Sequence, residues 1–188
     1  MSALHPAASG GIGATSAGTA RGGCGLSAAP SAQGVVIRVV GKGTARESRV
    51  VRDTATRALK ATPPAAVVLD LSGCDYLDST FLGCLVHLHR AGGSADPSSG
   101  GRFTVAAPPE RRGKLLGAMR LDRIVACVEA PPSTCGSWVD LSGGVGEATP
   151  QALARHVMEC HRQLAELDSP MQAVFARIAD EMGRELST

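Results

Sequence analysis

The sequence predicts an α/β fold, in which a small β-sheet is packed with α-helices and followed by a C-terminal helical pair. Two observations predict the sheet: short apolar, β-branched runs recur along the chain, and helical periodicity fills the intervals between them. The runs occupy residues 35–40, 66–71, 103–106 and 124–128. Alternation of this kind implies parallel strands joined by crossover helices. Apolar residues at spacings of three and four after residue 150 predict the helical pair.

Composition limits the classes of partner. The chain has 188 residues, a formal net charge of +2 and 3% aromatic residues. Its lysines and arginines are scattered and base-stacking side chains are few, so we expect no direct nucleic-acid partner. No apolar run approaches the roughly 18 residues of a membrane span, and no signal-peptide pattern opens the chain. Six cysteines form no Cys-x-x-Cys pair. We therefore expect a cytoplasmic protein with free thiols and no membrane partner.

The first half of the chain divides at its low-complexity start. Residues 1–33 are almost entirely Ala, Gly, Ser, Thr and Pro, which predicts a disordered tail because so little apolar surface is available for burial. A domain over residues 34–130 follows. Its first strand, 35–40, leads into a helix from Glu47 to about Ala61, which the prolines after Thr62 end.

The remaining elements follow in order. The strand 66–71 precedes a helix over 79–91, a glycine- and serine-rich loop, the strand 103–106, a helix over about 109–119 that begins at a proline, and the strand 124–128. Residues 131–150 are rich in Pro, Gly and Ser and predict a linker, which Trp138 anchors on the domain surface.

The C-terminal extension, residues 151–188, contains two predicted helices. They cover about 151–167 and 170–186, and Ser169-Pro170 separates them. Two short helices are not stable alone in water. They must pack on the domain, on each other in a homodimer, or on a partner.

The hydroxyl of Ser79 lies at a position suited to phosphorylation. A polar loop after the strand 66–71 leads to Asp78-Ser79-Thr80, which opens an apolar helix. Free N–H groups and the positive end of the helix dipole meet there, so the position tolerates an added phosphate. A strand–loop–Ser–helix pattern is common, however, and by itself it favours Ser79 acting only as the N-cap.

Residues 66–90 resemble the STAS domain of bacterial anti-sigma factor antagonists. In that family a strand ending in Asp-Leu, a loop and an Asp-Ser-(Ser/Thr)-Gly-Leu-Gly step carry the regulatory phosphoserine; this chain has Asp70-Leu71 and then Asp78-Ser79-Thr80. The resemblance covers about residues 34–130. It implies a mixed STAS-like sheet and phosphorylation at Ser79, with Thr80 as second choice. It also implies an anti-sigma factor with serine-kinase activity as partner, released by the phosphate, and no catalytic residues, cofactor or metal in this chain.

The resemblance places the partner surface on the loop and the first turn of the helix. The residues expected to contact the partner are Cys74, Asp75, Tyr76, Asp78, Phe81, Leu82 and Gly83. Two departures from the family stand out. Phe81 replaces the family's glycine and packs either outward on the partner or inward in the core. Only one strand precedes the first helix where the family has two, so the missing strand either lies in the tail or has been lost.

Other readings remain open. The chain is alternatively a STAS scaffold or sensor, or a nucleotide- or lipid-binding module without a phosphoswitch. A thiol enzyme using Cys74 requires a lowered thiol pKa, and no nucleophile–base–orienter set accompanies it. His87 and His89 point to different helix faces. The spacing of His156, Cys160 and His161 suits either the start of a metal site or, as we expect, a half-buried helix face.

Overall fold

The computed structural model describes residues 25–93 and 101–187. The strands are β1 (Gly25–Ser31), β2 (Gly34–Gly43), β3 (Ala66–Leu77), β4 (Phe103–Ala106), β5 (Cys127–Val128) and β6 (Val139–Asp140). The helices are α1 (Ala45–Leu59), α2 (Ser79–Gly92), α3 (Pro109–Leu116), α4 (Pro150–Ala165) and α5 (Gln172–Glu185). Short 3-10 turns occupy Gly117–Met119, Leu121–Arg123 and Ser142–Gly146.

The strands form a mixed six-stranded sheet in the order β5-β4-β3-β2-β1-β6. The four strands from β2 to β5 run parallel, as the alternation of strands and helices predicts. Strand β1 is antiparallel to both of its neighbours, β2 and β6. The predicted α/β class is confirmed, and the sheet contains both parallel and antiparallel pairs.

Strand β1 corrects the prediction of a disordered tail over residues 1–33. Leu26 and Ala29 of β1 are buried against the apolar strand β2, and the pairing extends from Gly25 to Ser31. The composition of this segment is poor in strand formers, so it is pairing with β2, rather than local propensity, that orders it. The missing first strand therefore lies within the predicted tail, whose residues 1–24 are outside the described part of the chain.

The last strand of the predicted domain is shorter than expected. Strand β5 has only two residues instead of the expected 124–128, because a 3-10 turn over Leu121–Arg123 runs directly into Ile124 and Val125. Val125 is still buried in the core. The apolar run was therefore a correct indicator of burial and a poor indicator of strand length.

The predicted linker, residues 131–150, follows the edge of the sheet for part of its length. Its segment Val139–Asp140 pairs with β1 as strand β6. The guanidinium of Arg38 lies 3.9 Å from the centre of the Trp138 ring, and the buried Asp70 accepts a 2.9 Å hydrogen bond from Arg38. This cation–π contact anchors the segment on the domain as expected.

The helices stack outward from the sheet. Helices α1 and α2 pack on each other and on the strands, α4 packs on α2 and on part of α1, and α5 packs on α4. Of the three arrangements expected for the C-terminal helices, the structure shows packing on the domain of the same chain. This arrangement places α4 directly over the α2 face that begins at Ser79.

Candidate functional site

Asp78 is the residue that caps helix α2. Its Oδ1 accepts a 2.8 Å hydrogen bond from the N–H of Phe81, and its Oδ2 accepts one of 2.8 Å from the N–H of Ala45. One carboxylate thus satisfies free N–H groups at the starts of both α1 and α2. The interpretation of Ser79 as the N-cap is therefore wrong, and Asp78, predicted as a partner contact, has a structural role in both helices.

Ser79 is the first residue of α2 and is half-buried. Its Oγ lies 3.0 Å from Nε2 of His161, which reaches down from α4. The two residues are far apart in sequence, and the helical packing brings them together. The hydroxyl expected to be open to a kinase is instead held by a histidine of the same chain.

His161 is enclosed on every side. It is buried, and its ring stacks on Phe175 of α5 with centroids 5.6 Å apart. Burial lowers the pKa of this histidine, and the nearby Asp78 carboxylate raises it to a smaller extent. The Nδ1 atom is buried and has no hydrogen-bond partner among the described residues. A neutral imidazole is the form that fits this environment.

Gly83 sets how closely α4 approaches α2. A Cβ atom at Gly83 would lie 2.2 Å from the carbonyl oxygen of Cys160 and 2.9 Å from its Cα. Such distances are not sterically allowed, so only glycine permits this helix packing. Gly83 is buried under α4 and is not exposed to a partner, contrary to its prediction as a contact residue.

A second histidine of α4 makes a similar contact with α1. Nε2 of His156 lies 2.8 Å from the hydroxyl of Ser48, and both residues are fully buried. Burial, followed by the charges of Arg52 and Arg49, lowers the pKa of His156 to about 3. This histidine is neutral at physiological pH and serves as a hydrogen-bonding partner between helices.

Ion pairs border the same interface on its exposed edges. Nη1 of Arg52 donates to Oε2 of Glu159 over 2.6 Å. At the other end of α2, Arg90 pairs with Glu166 and donates to the side-chain oxygen of Gln163 over 2.8 Å. The first ion pair joins α1 to α4, and the second lies near the C-terminal end of α2.

The predicted partner contacts divide into exposed and buried residues. Asp75 and Tyr76 are exposed, Tyr76 by 52%, and Leu82 is partly buried. Phe81 has no exposed surface, so its outward orientation on a partner is excluded in this structure. Space for the ring exists because Gly43 lies next to it, where a Cβ would be only 2.8 Å from the Phe81 ring.

Thr80 and Cys74 are also interior residues. Thr80 is 4% exposed, which makes it a poor second choice for phosphorylation. Cys74 is fully buried, and this burial raises the pKa of its thiol. The burial of Cys74 contradicts its prediction as a partner contact. Burial and the raised pKa together disfavour the thiol-enzyme hypothesis, because a nucleophilic cysteine requires access and a lowered pKa.

The described residues were also compared with the requirements of a ligand pocket, a metal site and a membrane-spanning helix. A cleft of about 270 Å³ lies between α1, α2 and α4 and is lined by Arg52, His87, Glu159, Cys160, Arg162, Gln163 and Glu166. Residues 25–93 and 101–187 include no cluster of three or more His, Cys, Asp or Glu that could hold a metal ion. Over the same ranges, no helix is both long and apolar enough to cross a bilayer.

Comparison with known families assigns the domain. The family model described as "Mlab, STAS domain" matches residues 26–126, which is more than half of the chain. The chain belongs to this STAS domain family. The matched range includes strand β1, so the first strand that the sequence pattern did not reveal is part of the STAS domain. It ends before β5, so α4 and α5 lie outside the range that the family shares.

The chain is also similar to a solved structure, whereas the search of curated proteins gave no match. The STAS chain is similar to the structure titled the anti-sigma factor antagonist SpoIIAA in its unphosphorylated form, with 16% identity and a TM-score of 0.42. This similarity covers 58% of the present chain and 90% of SpoIIAA.

Proposed function

We propose that this STAS protein is an anti-sigma factor antagonist whose binding is gated by phosphorylation at Ser79. In this proposal it binds an anti-sigma factor with serine-kinase activity in the cytoplasm and is released when that partner phosphorylates it. The observation that carries the proposal is the placement of Ser79 in the first turn of α2 of a STAS domain, next to the capping Asp78. The exposed Asp75 and Tyr76 lie at the end of strand β3, where the sequence predicted a loop, and extend the proposed partner surface.

The electrostatics of the site favour a change in surface potential over a change in fold. A phosphate on Ser79 adds about −1.5 to −2 charges at neutral pH. The N-terminus of α2 stabilises that charge, while the carboxylate of Asp78 repels it. The carboxylate of Asp78 is fixed by the N–H groups of Ala45 and Phe81, so the added charge should not displace it. The charge therefore acts mainly on the segment or partner that packs over α2.

The proposal is tested with a cognate serine kinase and ATP, followed by mapping of the modified residue. We expect phosphate on Ser79, and we expect Ser79→Ala to abolish its incorporation. Ser72→Ala, which removes a partly buried hydroxyl of strand β3, is the matched control and should be phosphorylated normally. A chain that is modified only at other residues would contradict the proposal.

A second candidate is a STAS scaffold that binds its partner without a phosphoswitch. The contact between Ser79 and His161 favours it, since the hydroxyl already has a hydrogen-bond partner under α4. The two candidates differ in one measurement: in a scaffold, Ser79→Asp and Ser79→Ala bind the partner equally, whereas in a phosphoswitch only Ser79→Asp weakens binding.

A further inference from the structure

We infer that α4 and α5 form a detachable cover over the partner-binding face of α2, so that docking of the cover and binding of a partner exclude each other. The cover is defined as residues 150–185. This inference rests on the proposed function for the identity of the bound partner, while detachment of the cover is a property of the chain that is measured without any partner.

The cover occupies the full length of the proposed binding helix. At one end His161 contacts the hydroxyl of Ser79, and at the other Glu166 pairs with Arg90. Between these points the backbone of Cys160 rests on Gly83. A kinase active site requires the Ser79 hydroxyl to be free, and it cannot reach that hydroxyl while α4 is docked.

The cover is peripheral to the domain that it rests on. The family match ends at residue 126, before the cover begins, and Cys160, Leu164, Leu167 and Phe175 of the cover extend the apolar core of the domain. Helix α5 packs on α4, so the two helices form a unit. The cover is joined to β6 by a short segment that includes the glycine-rich turn Ser142–Gly146. Release of α4 can therefore carry α5 with it and leave the strands paired.

The chemistry of the interface suits exchange. Two neutral histidines contact two hydroxyls, and carboxylates of α4 face arginines of α1 and α2. The apolar part includes Cys160, Leu164, Leu167 and Phe175, which belong to the same core cluster as the domain. Polar groups of this kind regain hydrogen bonds in water or with a partner when α4 leaves, which offsets part of the free-energy cost of exposing the apolar side chains.

The same contacts define what replaces the cover. An occupant that repeats the packing of α4 places the backbone of a helix against Gly83, where α2 has no side chain. Carboxylates at its edges would face Arg52 and Arg90, as Glu159 and Glu166 do in the closed chain. The partner segment that fits is an amphipathic helix with acidic edges.

Gly83→Ala in the full-length chain tests whether the cover detaches. The new methyl group would collide with the backbone of Cys160 in α4, whereas α2 itself gains a better helix former. Gly113→Ala is the matched control, since Gly113 also lies within a helix and has no atom within 4 Å of the position of a Cβ. Both variants replace a helical glycine with alanine, and only the one at Gly83 brings the new methyl group against α4.

The readout is alkylation of Cys160 by iodoacetamide, followed by mass spectrometry. In the closed chain this thiol is 1% exposed, and burial raises its pKa to about 12. We expect Gly83→Ala to accelerate its labelling on the order of tenfold or more, since local opening exposes the thiol. Labelling of Cys160 should be unchanged in Gly113→Ala. Cys74, buried in the STAS domain, should stay protected in both and reports that the domain is folded.

A charge-reversal pair keeps the test decisive if Gly83→Ala does not fold. Glu159→Arg places two arginines opposite each other and should accelerate Cys160 labelling, and the double variant Arg52→Glu/Glu159→Arg should restore protection. Unchanged protection of Cys160 in folded Gly83→Ala and Glu159→Arg would overturn the inference.

Phosphorylation of the same variants separates this inference from the proposed function. With kinase and ATP, Ser79 in Gly83→Ala should be modified on the order of tenfold faster than in the unmodified chain, in line with the opening of the cover. Equal rates in the two chains would overturn mutual exclusion. Fast labelling of Cys160 without any phosphate on Ser79 would support the detachable cover and contradict the phosphoswitch.

Discussion

The contacts inside the STAS domain differ in chemistry from the contacts that attach the C-terminal cover to it. In the domain, the contacts between the sheet and α1 and α2 are made by fully buried apolar side chains such as Ile37, Leu69 and Phe81. Where the cover meets the domain, buried apolar side chains such as Leu164 are joined by contacts of histidine to hydroxyl, backbone to glycine and arginine to carboxylate. The comparison indicates that the domain is stable through apolar burial, whereas polar groups that water can replace provide a larger share of the contacts that position the cover.

The largest expected effect comes from removing an apolar side chain of the domain. Phe81→Ala should lower the free energy of unfolding by about 3–5 kcal/mol, because the ring is fully buried and leaves a cavity beside Gly43. Urea unfolding followed by circular dichroism measures the loss. Phe175→Ala, which removes the ring stacked on His161 in the cover, is the control and should accelerate Cys160 labelling with a smaller loss of global stability. Equal losses would mean that the two regions unfold as one unit.

Acid should weaken the cover next most strongly. The pKa of His156 is about 3 in the closed chain and 6.5 when the side chain is exposed, so the open state takes up the proton first as the pH falls below 6.5. The stabilisation is complete above pH 6.5 and is lost towards pH 3, and at pH 4 the loss is at most about 3 kcal/mol. His161 changes in the same direction, opposed by Asp78, while Arg49, Arg52 and His87 all disfavour the charged form of His156.

Amide hydrogen exchange of α4 between pH 7 and pH 4, corrected for the intrinsic exchange rate, measures this opening. His156→Gln retains a side chain that can hydrogen-bond Ser48 but does not titrate, so its protection should depend less on pH. Identical profiles for the two chains would show that another group is responsible for the acid sensitivity.

Asp78 joins the starts of two helices, and its replacement should have an intermediate effect. Asp78→Ala removes acceptors for the N–H groups of Phe81 and Ala45 and should cost about 0.5–2 kcal/mol, the usual range for loss of a cap. Asp78→Asn keeps one acceptor oxygen and should cost less. Thermal unfolding of both variants measures the difference, and an unchanged stability in Asp78→Ala would contradict the structural role of this carboxylate.

Features that depend on residues close together in the sequence were predicted, and features that depend on residues far apart in the sequence were not. The start of α2 at Ser79 and strand β4 were predicted correctly, because a polar residue before an apolar helix and a β-branched run are local signals. Strand β1 was missed, because pairing with β2 rather than its own composition orders it. The contact of His161 with Ser79 spans 82 positions, and no local pattern announces it.

The orientation of Phe81 shows the same limit at a single residue. The sequence left inward and outward packing open, and Gly43, far from Phe81 in the chain, decides between them by leaving room for the ring. The substitution of the family's glycine by phenylalanine is therefore accommodated within the core of the domain.

The smallest expected effect lies at the exposed edge of the cover. Arg90 and Glu166 are paired, but both side chains are substantially exposed, 41% and 59%, and exposed pairs contribute about 0.2–1 kcal/mol. Arg90→Ala should therefore accelerate Cys160 labelling by about fivefold or less, and the effect should decrease with added salt because exposed charges are screened. If Arg90→Ala opened the cover as fully as Gly83→Ala, the arginine–carboxylate edge would be what holds α4. The histidine–hydroxyl contacts at Ser48 and Ser79 would then be secondary, and salt rather than acid would be the stronger means of opening it.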